Sequence, residues 1–135
     1  PGRPFSRARG KLLRPAVGSI VGTYGQATGS GLTRKGITIE TRAGAHVVAP
    51  YDGEIVFAGE FRGYGQLLII EHGEGYHSLL AGLARLEGVL GSRLLAGEPV
   101  GVMGRNSSRN TSLYMELRRN GQPINPLPWL AARKG

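Results

Sequence analysis

The sequence predicts a mostly β domain, in which short antiparallel strands form a compact sheet. Three observations favour this class. First, 23 glycines and 8 prolines among 135 residues are typical of a chain with many tight turns. Second, several short segments alternate apolar and polar residues, as strands with one buried face do. Third, turn residues separate these segments at short intervals, which favours short strands over long helices. Separately, no apolar run approaches the roughly 20 residues that are needed to cross a bilayer.

The predicted domain is flanked by short basic segments. Residues 1–11 are polar, basic and interrupted by Pro and Gly, so we expect a linker there. The domain then covers residues 12–130, and residues 131–135 form a basic tail. Because the first residue is Pro rather than Met, we expect the sequence to be a piece of a longer protein. The chain has no cysteine, which excludes disulfides and thiolate chemistry.

The first half of the domain contains four candidate strands. They cover residues 18–25, 35–40, 46–50 and 54–58, with a loop at 26–33 between the first two. Ile37 and Ile39 share one face of the second strand, which marks its buried side. Asp52-Gly53 is a strong hairpin signal, so we expect the fourth strand to pair with the third.

The second half starts with a turn at 63–65 and a continuous apolar run at 67–72, which is typical of a central strand. Residues 76–83 are expected to pair with that strand, and residues 84–90 to form one helical turn and the start of another strand. Later elements are a strand at 98–103, a polar loop at 104–110, a strand at 111–117 and a type I′-like turn at Asn120-Gly121.

The strand at 111–117, TSLYMEL, has two distinct faces. Leu113, Met115 and Leu117 lie on one face, and Ser112, Tyr114 and Glu116 lie on the other. We expect the apolar face to pack into the core, which leaves Tyr114 on the opposite face.

The net charge of +8 comes mostly from arginine, with fourteen Arg against three Lys. Such a balance favours an anionic partner: nucleic acid, anionic lipid, a cell-wall polymer or an acidic protein segment. Aromatic residues are few and do not interleave with basic ones in a strip, which disfavours a platform for single-stranded nucleic acid.

The order of these landmarks resembles the LytM domains of M23-type zinc peptidases, from about residue 12 to residue 130. The matching stretches are Lys35-Gly36-Ile37, 44–50 before Asp52-Gly53-Glu54-Ile55, Gly63-Tyr64-Gly65 before Ile70-Glu71-His72, 96–101, Glu116-Leu117, Asn120-Gly121 and Asn125-Pro126. The resemblance implies a compact antiparallel β-sheet domain of the duplicated hybrid motif type.

The chain departs from the active pattern of that family, which is His-x-Gly-x-Asp, Tyr-x-His and His-x-His. A catalytic zinc needs about three protein ligands and an open position for water. The resemblance places Arg34, Thr38 and Tyr114 at the ligand positions, and Gly82 and Ser112 at the two auxiliary histidine positions. It therefore implies a degenerate site with no zinc and no other cofactor, where Arg34 would also repel a cation.

The remaining histidines do not rebuild a metal site. His46, His72 and His77 have no partners at the spacing of the lost ligands, and His72 follows an apolar strand. We expect His72 to be a structural histidine with satisfied hydrogen bonds.

The pattern of loss is similar to that of the EnvC-type murein hydrolase activators. The C-terminal stretch carries this likeness, through Ser112-Leu113-Tyr114, Glu116, Arg118-Arg119, Gly121-Gln122, Asn125-Pro126 and Pro128-Trp129-Leu130. The resemblance implies a non-catalytic domain that binds and stimulates N-acetylmuramoyl-L-alanine amidases during cell division and daughter-cell separation. It also implies a Gram-negative periplasm, a longer exported protein with an upstream coiled coil, and control by a membrane division complex.

The same resemblance implies a groove that binds a regulatory helix of the amidase. Its positions fall on Lys35, Thr38, Tyr64, Leu67, Tyr114 and Arg118. Tyrosine suits such a role, because it combines a large apolar area with a hydroxyl group. Two alternatives stay open: a non-catalytic module that binds peptidoglycan through its arginines, and an active zinc endopeptidase. A nucleic-acid partner is not expected.

Overall fold

The computed structural model describes residues 3–105 and 111–132. The strands are β1 (Gly18–Gly22), β2 (Ile37–Thr41), β3 (His46–Val48), β4 (Gly53–Phe61), β5 (Gly65–Gly73), β6 (Tyr76–Leu83), β7 (Arg85–Leu86), β8 (Arg93–Leu94), β9 (Pro99–Val102), β10 (Thr111–Arg119) and β11 (Gln122–Ile124). Two short 3-10 helices cover Phe5–Arg7 and Leu127–Trp129. No helix within the described ranges has the length and apolar character needed to cross a membrane.

The strands form one large and one small antiparallel sheet. The large sheet has the order β1-β2-β10-β6-β5-β4-β8, and β11 pairs with β10. The small sheet has the order β3-β9-β7. The predicted class, a mostly β domain with antiparallel sheets, is confirmed. Asn120 and Gly121 both have positive φ angles between β10 and β11, which also confirms the predicted turn.

The main core lies between one face of the large sheet, the small sheet and the two ends of the domain. Side chains alternate between the two faces along β10, so Leu113, Met115 and Leu117 all point to the same side. These three residues are fully buried in the main core, as predicted. Val47 of the small sheet and Trp129 near the C-terminus close the same cluster. One face of the large sheet is thus buried in the main core, and the opposite face does not contribute to that core.

Two local predictions are wrong. β3 pairs with β9 in the small sheet rather than with β4, so the Asp52-Gly53 turn passes from one sheet to the other. The helical turn that was expected within 84–90 is instead the short strand β7, which also pairs with β9. In both cases a distant strand supplies the partner, and local turn signals contain no information about it. Residues 106–110 of the predicted polar loop lie outside the described residues.

The N-terminal segment corrects the predicted linker. Phe5 and Ala8 are completely buried, and the Phe5 ring stacks against His72 at 4.7 Å and Trp129 at 5.1 Å between ring centroids. Leu12 forms a parallel bridge with Leu130, which ties this segment to the end of the domain. The described part of residues 1–11 therefore belongs to the folded domain. A single phenylalanine among basic and turn-forming residues was too weak a signal to reveal this.

His72 is a buried structural residue, as predicted. Its Nδ1 lies 2.7 Å from the carbonyl oxygen of Asp52, and its Nε2 lies 2.7 Å from Ser78 Oγ. A neutral ring that donates from Nδ1 and accepts from the Ser78 hydroxyl satisfies both bonds. Burial disfavours the charged ring and lowers the pKa of His72 from 6.5 to about 4.

We expect acid to destabilise the domain through His72. Between pH 6.5 and about 4 the unfolded chain binds a proton at His72 that the folded chain does not, so the free energy of unfolding falls as the pH falls through this window. The lowered pKa corresponds to a loss of about 3 kcal/mol at the acid end. Urea unfolding at several pH values would measure it. In His72→Gln the slope should be smaller over this window, and an unchanged slope would contradict the assignment.

Candidate functional site

The second face of the large sheet carries a separate apolar cluster, which we call the groove. Three of its side chains, Leu67, Leu79 and Ala81, are almost completely buried although they lie outside the main core. The groove consists of eight residues on β4, β5, β6, β10 and the β4–β5 turn: Phe57, Phe61, Tyr64, Leu67, Ile69, Leu79, Ala81 and Tyr114. The centre of the sheet therefore carries apolar clusters on both faces.

Strand register explains how distant parts of the sequence meet in the groove. Leu67 on β5 lies opposite Ala81 on β6, which in turn lies opposite Tyr114 on β10. Tyr114 lies opposite Thr38 on β2, and Thr38 opposite Gly22 on β1. Because residues in register on neighbouring strands point to the same side, these residues form one row across the sheet. Three of the predicted residues, Thr38, Leu67 and Tyr114, are brought together in this row.

Four aromatic rings form a continuous wall of the groove. Phe57 and Phe61 pack edge to face with 5.8 Å between ring centroids, and Phe61 and Tyr64 are 5.9 Å apart. Tyr64 and Tyr114 continue the series at 6.5 Å. These distances lie within the range at which aromatic pairs attract each other. A cavity of about 160 Å³ opens between this wall and Leu67, Ile69 and Leu79, with Arg118 at its edge.

Glu116 is a buried carboxylate on the groove face of β10. The Tyr114 hydroxyl donates to one of its oxygens at 2.6 Å, and Arg118 Nε donates to the other at 2.7 Å. The Glu116 side chain is only 3% exposed, whereas that of Arg118 is 35% exposed. Burial, together with the bond to Glu116, raises the pKa of the Tyr114 phenol well above its usual range. Tyr114 therefore stays protonated and keeps donating throughout the neutral pH range.

Basic residues border the groove near the start of β2. A Cβ atom built on Gly22 would lie 3.1 Å from Arg34 Cζ and 3.2 Å from Thr38 Oγ1, so the guanidinium and this hydroxyl occupy neighbouring positions. The Arg34 Nε is buried and has no hydrogen-bond partner among the described residues. Lys35 is exposed and precedes Gly36, whose Cβ position would lie 3.0 Å from Glu116 Cγ. The backbone at Gly36, directly after Lys35 in the sequence, therefore lies beside Glu116, and we call this part of the surface the polar end of the groove.

Gly82 and Ser112 lie close together on the neighbouring strands β6 and β10. Gly82 has a φ angle of 98°, and a Cβ there would lie 2.8 Å from the Ser112 carbonyl oxygen. A side chain at residue 82 would therefore be strained in its backbone and would meet the neighbouring strand. The backbone at Gly82 therefore does not favour a histidine side chain at this position.

The residues at the predicted ligand positions do not fit a zinc ion. Arg34 supplies a permanent positive charge and no lone pair, and the Tyr114 hydroxyl is donated to Glu116. Zinc ligands in proteins are mostly Cys, His and carboxylates, and Thr38 offers only a neutral hydroxyl. Among residues 3–105 and 111–132, no group of three or more His, Cys, Asp or Glu side chains could hold a metal ion.

Five of the six predicted groove residues, all except Lys35, lie around one surface, and prediction missed other residues of that surface. Tyr64, Leu67 and Tyr114 lie in the groove itself, Arg118 at its edge, and Thr38 in register beside Tyr114. Residues that were not expected in the site are Phe57, Phe61, Ile69, Leu79, Ala81 and Glu116. A signal for several of them was present, because the unbroken apolar runs of β5 and β6 imply two buried faces.

A larger cavity of about 590 Å³ lies apart from the groove. Its walls include Phe5 and His72 and the ion pair in which Arg3 donates to Asp52 at 2.9 Å and 3.1 Å. That ion pair lowers the pKa of the Asp52 carboxyl to about 2. The polar groups at the Arg3 end are therefore paired with each other, and they hold the N-terminal segment in place.

Comparisons with known proteins find related sequences. The sequence profile of peptidase family M23 matches residues 32–126. Murein hydrolase activator EnvC of Escherichia coli K12 is 36% identical over 123 residues, which are 90% of this chain and 29% of that protein. Murein hydrolase activator NlpD of the same organism is 34% identical over 120 residues, 88% of this chain and 31% of that protein. The chain thus spans about 30% of the length of these relatives.

Solved structures show the same fold at lower sequence identity. Helicobacter pylori Csd3 matches with a TM-score of 0.77 and 23% identity, over 92% of this chain and 34% of that one. The solution structure of lysostaphin matches with a TM-score of 0.74 and 20% identity, over 87% of this chain and 54% of that one.

Proposed function

The chain belongs to peptidase family M23, and on that basis we propose that it is a non-catalytic member, which binds and stimulates N-acetylmuramoyl-L-alanine amidases. The observation that carries the proposal is the groove, in which aromatic and aliphatic side chains occupy the face where a zinc peptidase of this family would need metal ligands. Two relatives named as murein hydrolase activators support the same role. The domain would supply no reacting group itself.

The shape of the groove suits an amphipathic helix. Four neighbouring strands at about 4.8 Å spacing give a face roughly 14 Å across, and an α-helix with its side chains is about 10 Å wide. Aliphatic residues on the helix would pack against the aromatic wall, and acidic residues would face Arg34, Lys35 and Arg118. If that helix otherwise blocks the zinc site of the amidase, its capture raises the population of the active amidase.

An amidase assay with and without this domain, together with a zinc determination, tests the proposal. We expect faster release of labelled fragments from peptidoglycan only when amidase and domain are both present. The domain alone, after incubation with excess zinc, should retain no stoichiometric zinc and release no label. Release by the domain alone would instead support the zinc endopeptidase. No acceleration with any amidase tested would count against activation.

We expect Lys35→Glu to reduce amidase stimulation by at least tenfold. The change reverses a charge at the polar end of the groove, so an acidic flank of the partner helix would meet repulsion. The matched control is Lys11→Glu, because Lys11 is also exposed and changes the net charge equally, but lies in the N-terminal segment. Stimulation should be normal in that control. Equal losses in both variants would mean that net charge alone, and not the groove, controls activation.

Peptidoglycan binding without cleavage is a second candidate, supported by the same basic border. The carboxylates of peptidoglycan stems could pair with Arg34 and Lys35. A pull-down on purified sacculi separates the two candidates. Retention without amidase supports the binding module, and retention that requires amidase supports the activator.

We propose further that the domain acts in the periplasm of a Gram-negative bacterium, within a longer exported protein. The support is its similarity to EnvC and NlpD of Escherichia coli, of which it spans about 30%.

A further inference from the structure

We propose that Glu116 is a positioning residue of the groove, which fixes Tyr114 and Arg118 in the arrangement that binds the partner. The inference rests on the proposed function and concerns the same surface. Glu116 is as shielded from solvent as Leu67, Leu79 and Ala81, and its carboxylate oxygens are already bonded to two neighbouring side chains, so we do not expect it to contact a partner directly. Its effect on binding must therefore act through the two side chains that donate to it.

Glu116 accepts hydrogen bonds from two side chains at the same time. The Tyr114 hydroxyl takes one carboxylate oxygen and Arg118 Nε takes the other, at 2.6 Å and 2.7 Å. All three residues lie on the same face of β10, spaced two residues apart. A carboxylate accepts only, so it can satisfy two donors on opposite sides. Charge-assisted bonds of this kind are stronger than neutral ones and hold the donors in fixed directions.

Fixed directions matter on this surface because the Arg118 side chain would otherwise sample several rotamers. Arg118 is partly exposed and has several rotatable bonds, and its ordering on binding would cost about 1 kcal/mol or more. Arg118 lines the cavity together with Leu79 and Tyr64, and the bond from its Nε to Glu116 restricts where the rest of the guanidinium can lie. The Tyr114 ring is likewise held against Tyr64 at 6.5 Å. Part of the ordering is thus complete before a partner arrives.

A double-mutant cycle tests this role. Glu116→Gln keeps the shape but presents one oxygen and one NH₂ group, so it cannot accept from both neighbours. We expect it to weaken amidase binding by about tenfold in the otherwise unchanged chain. In a Tyr114→Phe, Arg118→Gln background both donors to Glu116 are gone, and the same change should alter binding by less than about twofold. A similar loss in both backgrounds would show a merely structural role and overturn the proposal, as would unchanged binding in Glu116→Gln.

A spectroscopic measurement on the free chain provides a second, independent test. The Nε–H of Arg118, assigned with Arg118→Gln, should give a nuclear magnetic resonance signal that exchanges slowly with water in the wild-type chain and rapidly in Glu116→Gln. Equal exchange in the two would overturn the proposal. This measurement needs no partner, so failure of the wild-type chain to bind any amidase would reject the proposed function alone. If Glu116→Gln does not fold, Glu116→Asp replaces it in both tests, because a side chain one methylene shorter cannot reach both donors.

Discussion

Tyr114→Ala is expected to abolish amidase stimulation while the domain stays folded. The change removes a ring that packs against Tyr64 and against the buried cluster of Leu67, Leu79 and Ala81. Truncation of a central aromatic residue at a protein interface typically costs 2 kcal/mol or more, which corresponds to a loss of affinity of about thirtyfold or greater. Titration of the amidase rate with increasing domain would measure this loss.

Two further variants identify the cause of that loss. Tyr114→Phe keeps the ring and removes only the hydroxyl, so its effect should be smaller than that of Tyr114→Ala. Leu90→Ala removes an exposed side chain between β7 and β8, outside the groove, and should stimulate normally. Normal stimulation by Tyr114→Ala at limiting domain concentrations would rule out the groove as the binding surface.

Phe5→Ala is expected to destabilise the domain by roughly 3–5 kcal/mol, the range for truncation of a fully buried aromatic residue. The Phe5 ring contacts Tyr51, His72, Tyr76 and Trp129, and no part of it reaches solvent. A cavity at this point would remove contacts from four other ring side chains at once. Because small domains are stable by only about 5–15 kcal/mol, this is a large share of the total.

Chemical unfolding would measure this loss of stability, and Phe61→Ala is the control variant. Phe61 is the same residue type but is 52% exposed on the groove face, so its truncation should leave the unfolding midpoint nearly unchanged. We expect the reverse order for amidase stimulation, where Phe61→Ala loses activity and Phe5→Ala retains it at temperatures below its own midpoint. Equal midpoints for the two variants would show that the N-terminal segment is dispensable for folding.

Local pattern was sufficient to predict most strands and the core face of β10. Alternation identified Leu113, Met115 and Leu117, and the Asn-Gly pair identified the turn between β10 and β11. It failed where a distant partner decides the outcome. The pairing of β3 with β9 and the burial of Phe5 both depend on residues more than 40 positions away in sequence. No local signal encodes such contacts.

The groove was predicted only in part, for a related reason. Resemblance to a family indicated Tyr64, Leu67 and Tyr114, but physical reasoning from the strand pattern alone could not place Phe57 and Phe61 beside them. Whether an apolar residue faces the core or a second apolar face depends on register, and β4 contains an irregularity between Ile55 and Phe57 that resets it. Beyond such a bulge, alternation no longer indicates the face. Glu116 was missed as a site residue because carboxylates on strands are usually solvated.

The row across the sheet also makes binding depend on an intact fold. Its members on β1, β2, β5, β6 and β10 are joined only by strand pairing, and no continuous peptide contains more than a fraction of them. A copy that is nicked by a protease, truncated or paired out of register loses the row as a whole, because a slip of one residue turns each side chain to the opposite face. Damaged copies would thus fail to bind a partner, rather than bind it without control. Under the proposed function, a copy without the row would leave its partner amidase unstimulated, and failure in this direction would protect the cell from lysis.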